Sequence, residues 1–340
     1  MQAVQVARHA NVTAACVDLG DLVEQAVSAG TEEGLEAGFE QVEAAVSACA
    51  TRGVPLVDVL RTIRATFRHV METTAGGDHR DHMIELGDEL AVTAAMTYAR
   101  GHRAGERRRL GETLLDGREG IGLARSYGIE IAPAYHVLAV KARREGAGLV
   151  DALHRVDVAV TEHTDGSALP VFGPNGGSLL VPAHIDIARI ERILTASNTG
   201  AELVATVVTA GVDGLPAAQL LAHRLLDVAA VLDQQRPVFR LVDLAVEVQV
   251  CSPGPGRDVL VSSLAPLGDK AHLMDTLHVY LSVAPNRRVA ARRLHVHINT
   301  VGYRLRQIAL LTGCDPITVD GAWRLRAALV AWRFVHGSNA

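Results

Sequence analysis

Val289-Ala-Ala-Arg-Arg-Leu-His-Val-His-Ile-Asn-Thr-Val-Gly-Tyr-Arg-Leu-Arg-Gln-Ile308 reads as two short helices joined by a tight turn near the C-terminus. The first helix is predicted from about Arg287 to Leu294, with Ala290 and Leu294 turned inward. His295-Val296-His297 forms the turn, and the second helix runs from about Ile298 to Leu311. On that second helix Val301, Leu305 and Ile308 recur at helical spacing and face a core. Asn299, Thr300, Tyr303, Arg304 and Arg306 are left for the outer face and its flanks. An Asn or Thr near a helix N-terminus can reach a base edge, while Arg grips phosphate. With Arg292, Arg293, His297 and Ile298, these residues make up the candidate set for binding double-stranded DNA.

Charge is segregated in the same sense. From Lys270 to Ala340 there are ten Lys and Arg against three Asp and Glu, a net of +7, whereas the rest of the chain carries 23 against 35, a net of −12. A basic end on an acidic body is the footprint of phosphate binding, with the body kept off nucleic acid elsewhere. A plain helical hairpin with solvated arginines is the bland alternative, and it does not account for that asymmetry.

At 340 residues the chain has room for two or three domains, and 49% hydrophobic with 21% charged content is that of a folded protein. Only 4% is aromatic, which disfavours a stacking platform for single-stranded nucleic acid. Cys16, Cys49, Cys251 and Cys314 are scattered without a Cys-x-x-Cys pair, so neither a zinc knuckle nor a disulfide framework is expected, and a reducing cytoplasm fits. The N-terminus lacks an apolar core of signal-peptide length, and runs such as Leu203 to Val208 are too short to span a bilayer. A soluble, cytoplasmic protein with no membrane association is the expectation.

The first hundred or so residues read as helices. Leu19, Leu22, Val23, Ala26 and Val27 form one apolar stripe, and Leu35, Phe39, Val42, Val46 and Cys49 form another. Arg52-Gly-Val-Pro55 breaks the pattern before a third helix with Leu60, Ile63, Phe67, Val70 and Met71. After Ala75-Gly-Gly-Asp78, a fourth carries Met83, Leu86, Leu90, Thr93 and Thr97 and extends toward Arg109. A helical bundle over residues 1–112 follows.

Between the ends, strands and helices interleave into an α/β sandwich over residues 113–265. Ala134 to Lys141 has the length and branching of a strand, and Ala168 to Phe172 and Ser178 to Val181 flank the turn Gly173-Pro-Asn-Gly-Gly177. Ile185 to Leu194 reads as helix, Leu203 to Thr209 as a buried strand, and Pro216 to Leu232 as a long helix opened by its proline. The third domain, residues 266–340, is all-α.

Other chemical signals are weak. His278, His295 and His297 lack a thiolate or carboxylate at ligand spacing, so no metal is expected, and His297 falls where a helix N-cap belongs. Asp78-His-Arg-Asp-His82 reads as a solvated loop, and the basic run Arg103 to Arg109 as cations at a helix C-terminus. Gly254-Pro-Gly256 and Gly173 to Gly177 lack the strand-Gly-helix context of a phosphate cradle and read as turns. No nucleophile, base and orienting group fall into a recognised arrangement, so neither an enzyme nor a cofactor is expected.

Leu273-Met-Asp-Thr-Leu-His-Val-Tyr-Leu281, Ala291-Arg-Arg-Leu294, Val296-His-Ile-Asn-Thr-Val-Gly-Tyr-Arg-Leu305 and Leu310-Leu-Thr-Gly313 together resemble the C-terminal helix-turn-helix of the PucR/CdaR family of bacterial transcriptional regulators. That family's usual pattern has Arg where this chain has Ile298 and Gly302. In place and order, the middle region resembles the degenerate GGDEF-like domain of the same regulators. The resemblance implies a ferredoxin-like sheet with helices on one face and no cyclase chemistry, because Ser178-Leu179 stands after Gly176-Gly177 in place of an acidic pair. Ala50 to Leu60 resembles the helical N-terminal region related to RsbR, a sensing or dimerising module.

Two readings follow. In the first, the protein is a cytoplasmic regulator, a homodimer that reads duplex DNA and responds to a small-molecule effector or a partner. Asn299 would then read a base and Arg304 a phosphate. In the second, motivated by Ile298 and Gly302, DNA reading is lost and the protein is an interaction or ligand-sensing module.

Overall fold

In the computed structural model, the described residues are 15, 18–26, 32–52, 54–74, 80–142, 148–197, 202–232, 236–282 and 286–337. The expectations placed on residues 1–9, Cys16, Val27, Gly53 and residues 75–79 lie outside them, as do the side chains of Leu35, Met71, Met83 and Leu86. The chain divides into two compact units: Met1–Thr113 with Glu119–Ile131, and Leu114–Arg118 with Ala132–Ala340.

The first unit is helical: α1 (residues 18–26), α2 (Glu32–Arg52), α3 (Leu56–Thr74), α4 (Arg80–Leu115) and α5 (Ile121–Tyr127). One core takes side chains from the first four: Leu19, Val23 and Ala26, then Val42, Val46 and Cys49, then Ile63 and Phe67, then Leu90, Ala94 and Tyr98. The buried line of α4 therefore runs through Ala94 and Tyr98, one position past the expected Thr93 and Thr97. Tyr98 reaches across to donate its hydroxyl to the Val54 carbonyl at 2.6 Å, fixing the break between α2 and α3. Helix α4 approaches α2 closely at Gly101, where a Cβ would stand 3.0 Å from the Ser47 carbonyl oxygen. The basic run Arg103 to Arg109 lies inside α4, which continues to Leu115, so a helix C-terminus does not explain it; Arg108 instead pairs with Glu112 at 2.9 Å. Arg80 to His82 belong to the first turn of the same helix rather than to a loop.

The second unit is built on a mixed five-stranded sheet. Its strands are β1 (Ala134–Ala142), β2 (Leu169–Gly173), β3 (Gly176–Pro182), β4 (Leu203–Gly211) and β5 (Val238–Arg240). They lie in the order β2–β3–β1–β4–β5, and every pairing is antiparallel except β4 with β5. Helix α6 (Leu149–His163) connects β1 to β2, and α7 (Ile187–Ala196) connects β3 to β4. Asp186 caps α7 by accepting from the Ala188 N–H at 3.0 Å.

Strand alternation sorts the sheet into two apolar faces. Leu138, Leu179 and Val207 pair in register and pack under Val156, Val160, Ile190 and Leu194 of α6 and α7. Ala139 and Phe239 face the other way, against Leu225 and Leu226 of α8 (Leu215–Ala230) and Leu244 and Val248 of α9 (Leu241–Cys251). Helices thus cover both faces, where the sequence suggested one. Under α8, buried Thr206 donates to the Ala222 carbonyl at 2.6 Å, and Ser178 lies 2.9 Å from His223 Nε2. Desolvation holds the His223 imidazole below its usual pKa. Ser178 is 2% exposed and also accepts from Gln219, so its hydroxyl joins α8 to the sheet instead of facing a substrate.

The remaining helices are α10 (Pro255–Leu264), α11 (Ala271–Ser282), α12 (Arg287–Arg293), α13 (Ile298–Thr312) and α14 (Val319–Gly337). Gly254 and Pro255, expected as a turn, are the N-cap and first residue of α10. Leu260 and Leu264 of α10 enter the core shared by α11 to α14, ahead of the boundary expected at residue 266. Helix α14 belongs to two cores: Leu325, Ala328 and Leu329 pack with α11 to α13, while Val330 and Phe334 pack against the cluster of α8 and α9.

The β2–β3 hairpin requires Gly176. Its φ is +121°, and a Cβ there would sit 2.2 Å from the Val140 carbonyl oxygen. Gly176→Ala is expected to cost about 2 kcal/mol. Gly211→Ala, at φ −68° with its nearest neighbour 3.7 Å from the new methyl, should cost much less. Urea unfolding of the two variants measures the difference.

Candidate nucleic-acid interface

Asn286 opens α12, its side-chain oxygen accepting from the N–H groups of Arg288 at 3.0 Å and Val289 at 3.3 Å. The helix buries Ala290 and Ala291 and leaves Arg287, Arg288, Arg292 and Arg293 exposed. It stops in a reciprocal pair of turn bonds: His295 N–H to the Arg292 carbonyl at 3.3 Å and Val296 N–H to the Ala291 carbonyl at 3.0 Å. That is the Schellman geometry, and its pivotal residue must be left-handed, a place usually held by glycine. Here it is His295, at φ +52°. Half-buried Val296 then packs on the core and turns the chain into α13.

His297 caps α13, as its position suggested: its Nδ1 accepts from the Asn299 N–H at 3.2 Å. Val301, Leu305 and Ile308 are fully buried, so the inner face of α13 is the predicted one. Gly313, at φ +69°, closes the helix with a bond to the Ala309 carbonyl.

The outer surface divides more finely than the sequence indicated. Asn299, Tyr303 and Arg306 are exposed and lie along one stripe of α13, while Thr300 flanks it, half-buried. Gln307 donates to the Tyr303 hydroxyl at 3.0 Å and steadies the ring. Ile298 is half-buried against the core rather than offered outward. Arg304 turns sideways, its guanidinium donating to Thr276 Oγ1 at 3.1 Å and toward the His272 carbonyl at 3.5 Å, which straps α13 to α11. Spacing could not separate it from Arg306, because which flank of a helix meets a third helix is a tertiary property. Gly302 stands on the open side, where an added Cβ meets nothing within 4 Å.

Among the described residues, no carboxylate is paired with Arg287, Arg288, Arg292, Arg293 or Arg306. The outer face of the two helices thus presents unneutralised guanidinium groups around Asn299 and Tyr303. Such a surface can bind a polyanion and present an amide to a base edge. Among the described residues no helix is long and apolar enough to cross a membrane.

Two helices at this spacing, the second capped and lying on a third, define a helix-turn-helix. Residues 273–331 match the PucR C-terminal helix-turn-helix domain, and that part of the chain is such a domain. An uncharacterised protein of Mycobacterium bovis and two of Mycobacterium tuberculosis are each 42% identical to the chain over 66 residues, a match spanning 19% of this chain and 16% of the relatives' own length. A crystal structure of a regulator of polyketide synthase expression from Bifidobacterium adolescentis is 20% identical, overlaps 68% of this chain and 94% of that one, and superposes with a TM-score of 0.32.

The left-handed His295 costs backbone energy that glycine would not incur. His295→Gly is expected to raise stability by about 1 kcal/mol. A thermal-unfolding comparison checks it, and a lowered midpoint would mean that the imidazole makes contacts outweighing the strain.

Proposed function

We propose that the protein is a transcriptional regulator that binds duplex DNA through α13, with the arginines of α12 holding phosphates on either side. The observation that carries this reading is the exposed stripe Asn299, Tyr303 and Arg306 beside four unpaired arginines, on a domain of the PucR helix-turn-helix type. Asn299 is the base reader of this set, Arg292, Arg293 and Arg306 are phosphate contacts, and Arg304 positions the helix. His297 and Thr300 sit at the start of α13 within reach of the backbone of the duplex.

In this reading residues 1–112 form a helical bundle for sensing or dimerisation, residues 113–265 a degenerate GGDEF-like module, and residues 266–340 the reading head, joined by α10. The order β1–α6–β2–β3–α7–β4, with antiparallel strands arranged 2–3–1–4, supports a ferredoxin-like description of the middle module. The protein works in the cytoplasm as a homodimer, so that two heads meet two half-sites, and it answers to a small-molecule effector without catalysing a reaction.

The test is fluorescence anisotropy of the full chain against duplexes tiled from the DNA upstream of its own gene, with random duplex as control, at two salt concentrations. Selective binding that weakens with salt is expected, and no preference for any tile over random DNA overturns the reading in favour of a module that has lost DNA reading. Asn299→Ala should cost about 1–3 kcal/mol on the selected site and little on random DNA. Gly302→Arg, entering open space on the reading face, should tighten binding to all sequences and steepen the salt dependence by about 1.8 in log–log slope for the dimer, one phosphate contact per head.

A further inference from the structure

We propose that α4 carries a self-association surface on which a second copy of this chain packs antiparallel, centred on Met96. The surface supplies a seam for the dimer of the reading above and rests on that reading only for the expectation of two copies.

The face of α4 opposite its buried line is neither polar nor evenly charged. Val92 is 60% exposed and Met96 55%, and Ala99 continues the same stripe at steps of four and three. Exposed apolar side chains taken singly are ordinary. What distinguishes this stripe is the order of charge along it. Asp88 and Glu89 stand exposed on its N-terminal side, and Arg100 and Arg103 on its C-terminal side. Among the described residues none of these four is joined in an ion pair. The macrodipole favours cations only in the last turn of a helix, and α4 continues to Leu115, well beyond Arg100 and Arg103.

Acid, apolar centre and base in that order form a self-complementary pattern. Glu89 and Arg103 each lie two helical turns from Met96, on opposite sides of it and on the same face. When Met96 meets Met96 of a second antiparallel copy, Glu89 faces Arg103 of that copy, and the two-fold axis repeats the arrangement at the other end. Val92 then covers the second copy's Ala99 and the aliphatic stem of its Arg100. A parallel pairing would set acid against acid and base against base, so the charges select the antiparallel one.

Sedimentation velocity of the full chain, without DNA, tests the surface. The expected result is a dimer that Met96→Glu converts to monomer, with circular dichroism showing the helix content retained. Glu89→Arg and Arg103→Glu should each raise the dimer dissociation constant about tenfold, because each puts like charges together at both ends of the seam. The two reversals in one chain should restore wild-type association, since every end again meets its opposite. A monomeric wild-type chain at all attainable concentrations, a dimer indifferent to these variants, or a double reversal that fails to restore association would overturn the proposal. A dimer with this pattern that binds no DNA would leave the seam standing and remove the regulator reading; DNA binding by a monomeric chain would do the reverse.

Discussion

Helix α14 is the constraint on which the C-terminal half depends. Its Leu325, Ala328 and Leu329 complete the core of the helix-turn-helix, and on another side of the same helix Val330 and Phe334 reach the cluster of α8 and α9 beneath the sheet. A helix with apolar side chains turned into two cores cannot satisfy either if the two are pulled apart, because apolar area would return to water at about 25 cal/mol per Å². Helix α13 is therefore mounted on the sheet module through packed side chains, with α10 sharing the same core.

Within that mount, two polar devices fix the attitude of α13. The His297 cap sets where the helix starts, and the Arg304 strap to Thr276 sets its rotation against α11. Both use residue types that a DNA-binding surface also uses, and both leave Asn299, Tyr303 and Arg306 as the outward groups. The basic charge gathered here stands against an acidic remainder, which concentrates the attractive potential at one face instead of spreading it over the molecule.

The helix-turn-helix was legible in the sequence because its determinants are local: the spacing of Val301, Leu305 and Ile308, a cap at His297, and a glycine stop at Gly313. Strands β1 to β4 were legible for a similar reason, as short apolar runs beside turn residues. Several other elements were passed over. Helix α9 is apolar nearly all round, so it has no periodicity to read, and β5 is three residues long and exists only because β4 lies beside it. In α4 the sequence offered Thr93 and Thr97 as the inner line, but the close approach to α2 at Gly101 rotates the helix so that Ala94 and Tyr98 go inside. In the candidate site, residue types and spacing found the right segment. They could not tell that Arg304 bends toward α11 or that Ile298 packs inward, since both depend on where a third helix sits.

Gly302 occupies a place on the open side of α13 where a Cβ would meet no other part of the fold. Val301, Leu305 and Ile308 answer to the core and Arg304 to the strap, so a change there alters the scaffold along with whatever it touches. At Gly302 the two are uncoupled. New side chains can be placed there without disturbing the packing behind them, so the outer chemistry of α13 can change at this position while the fold stays the same.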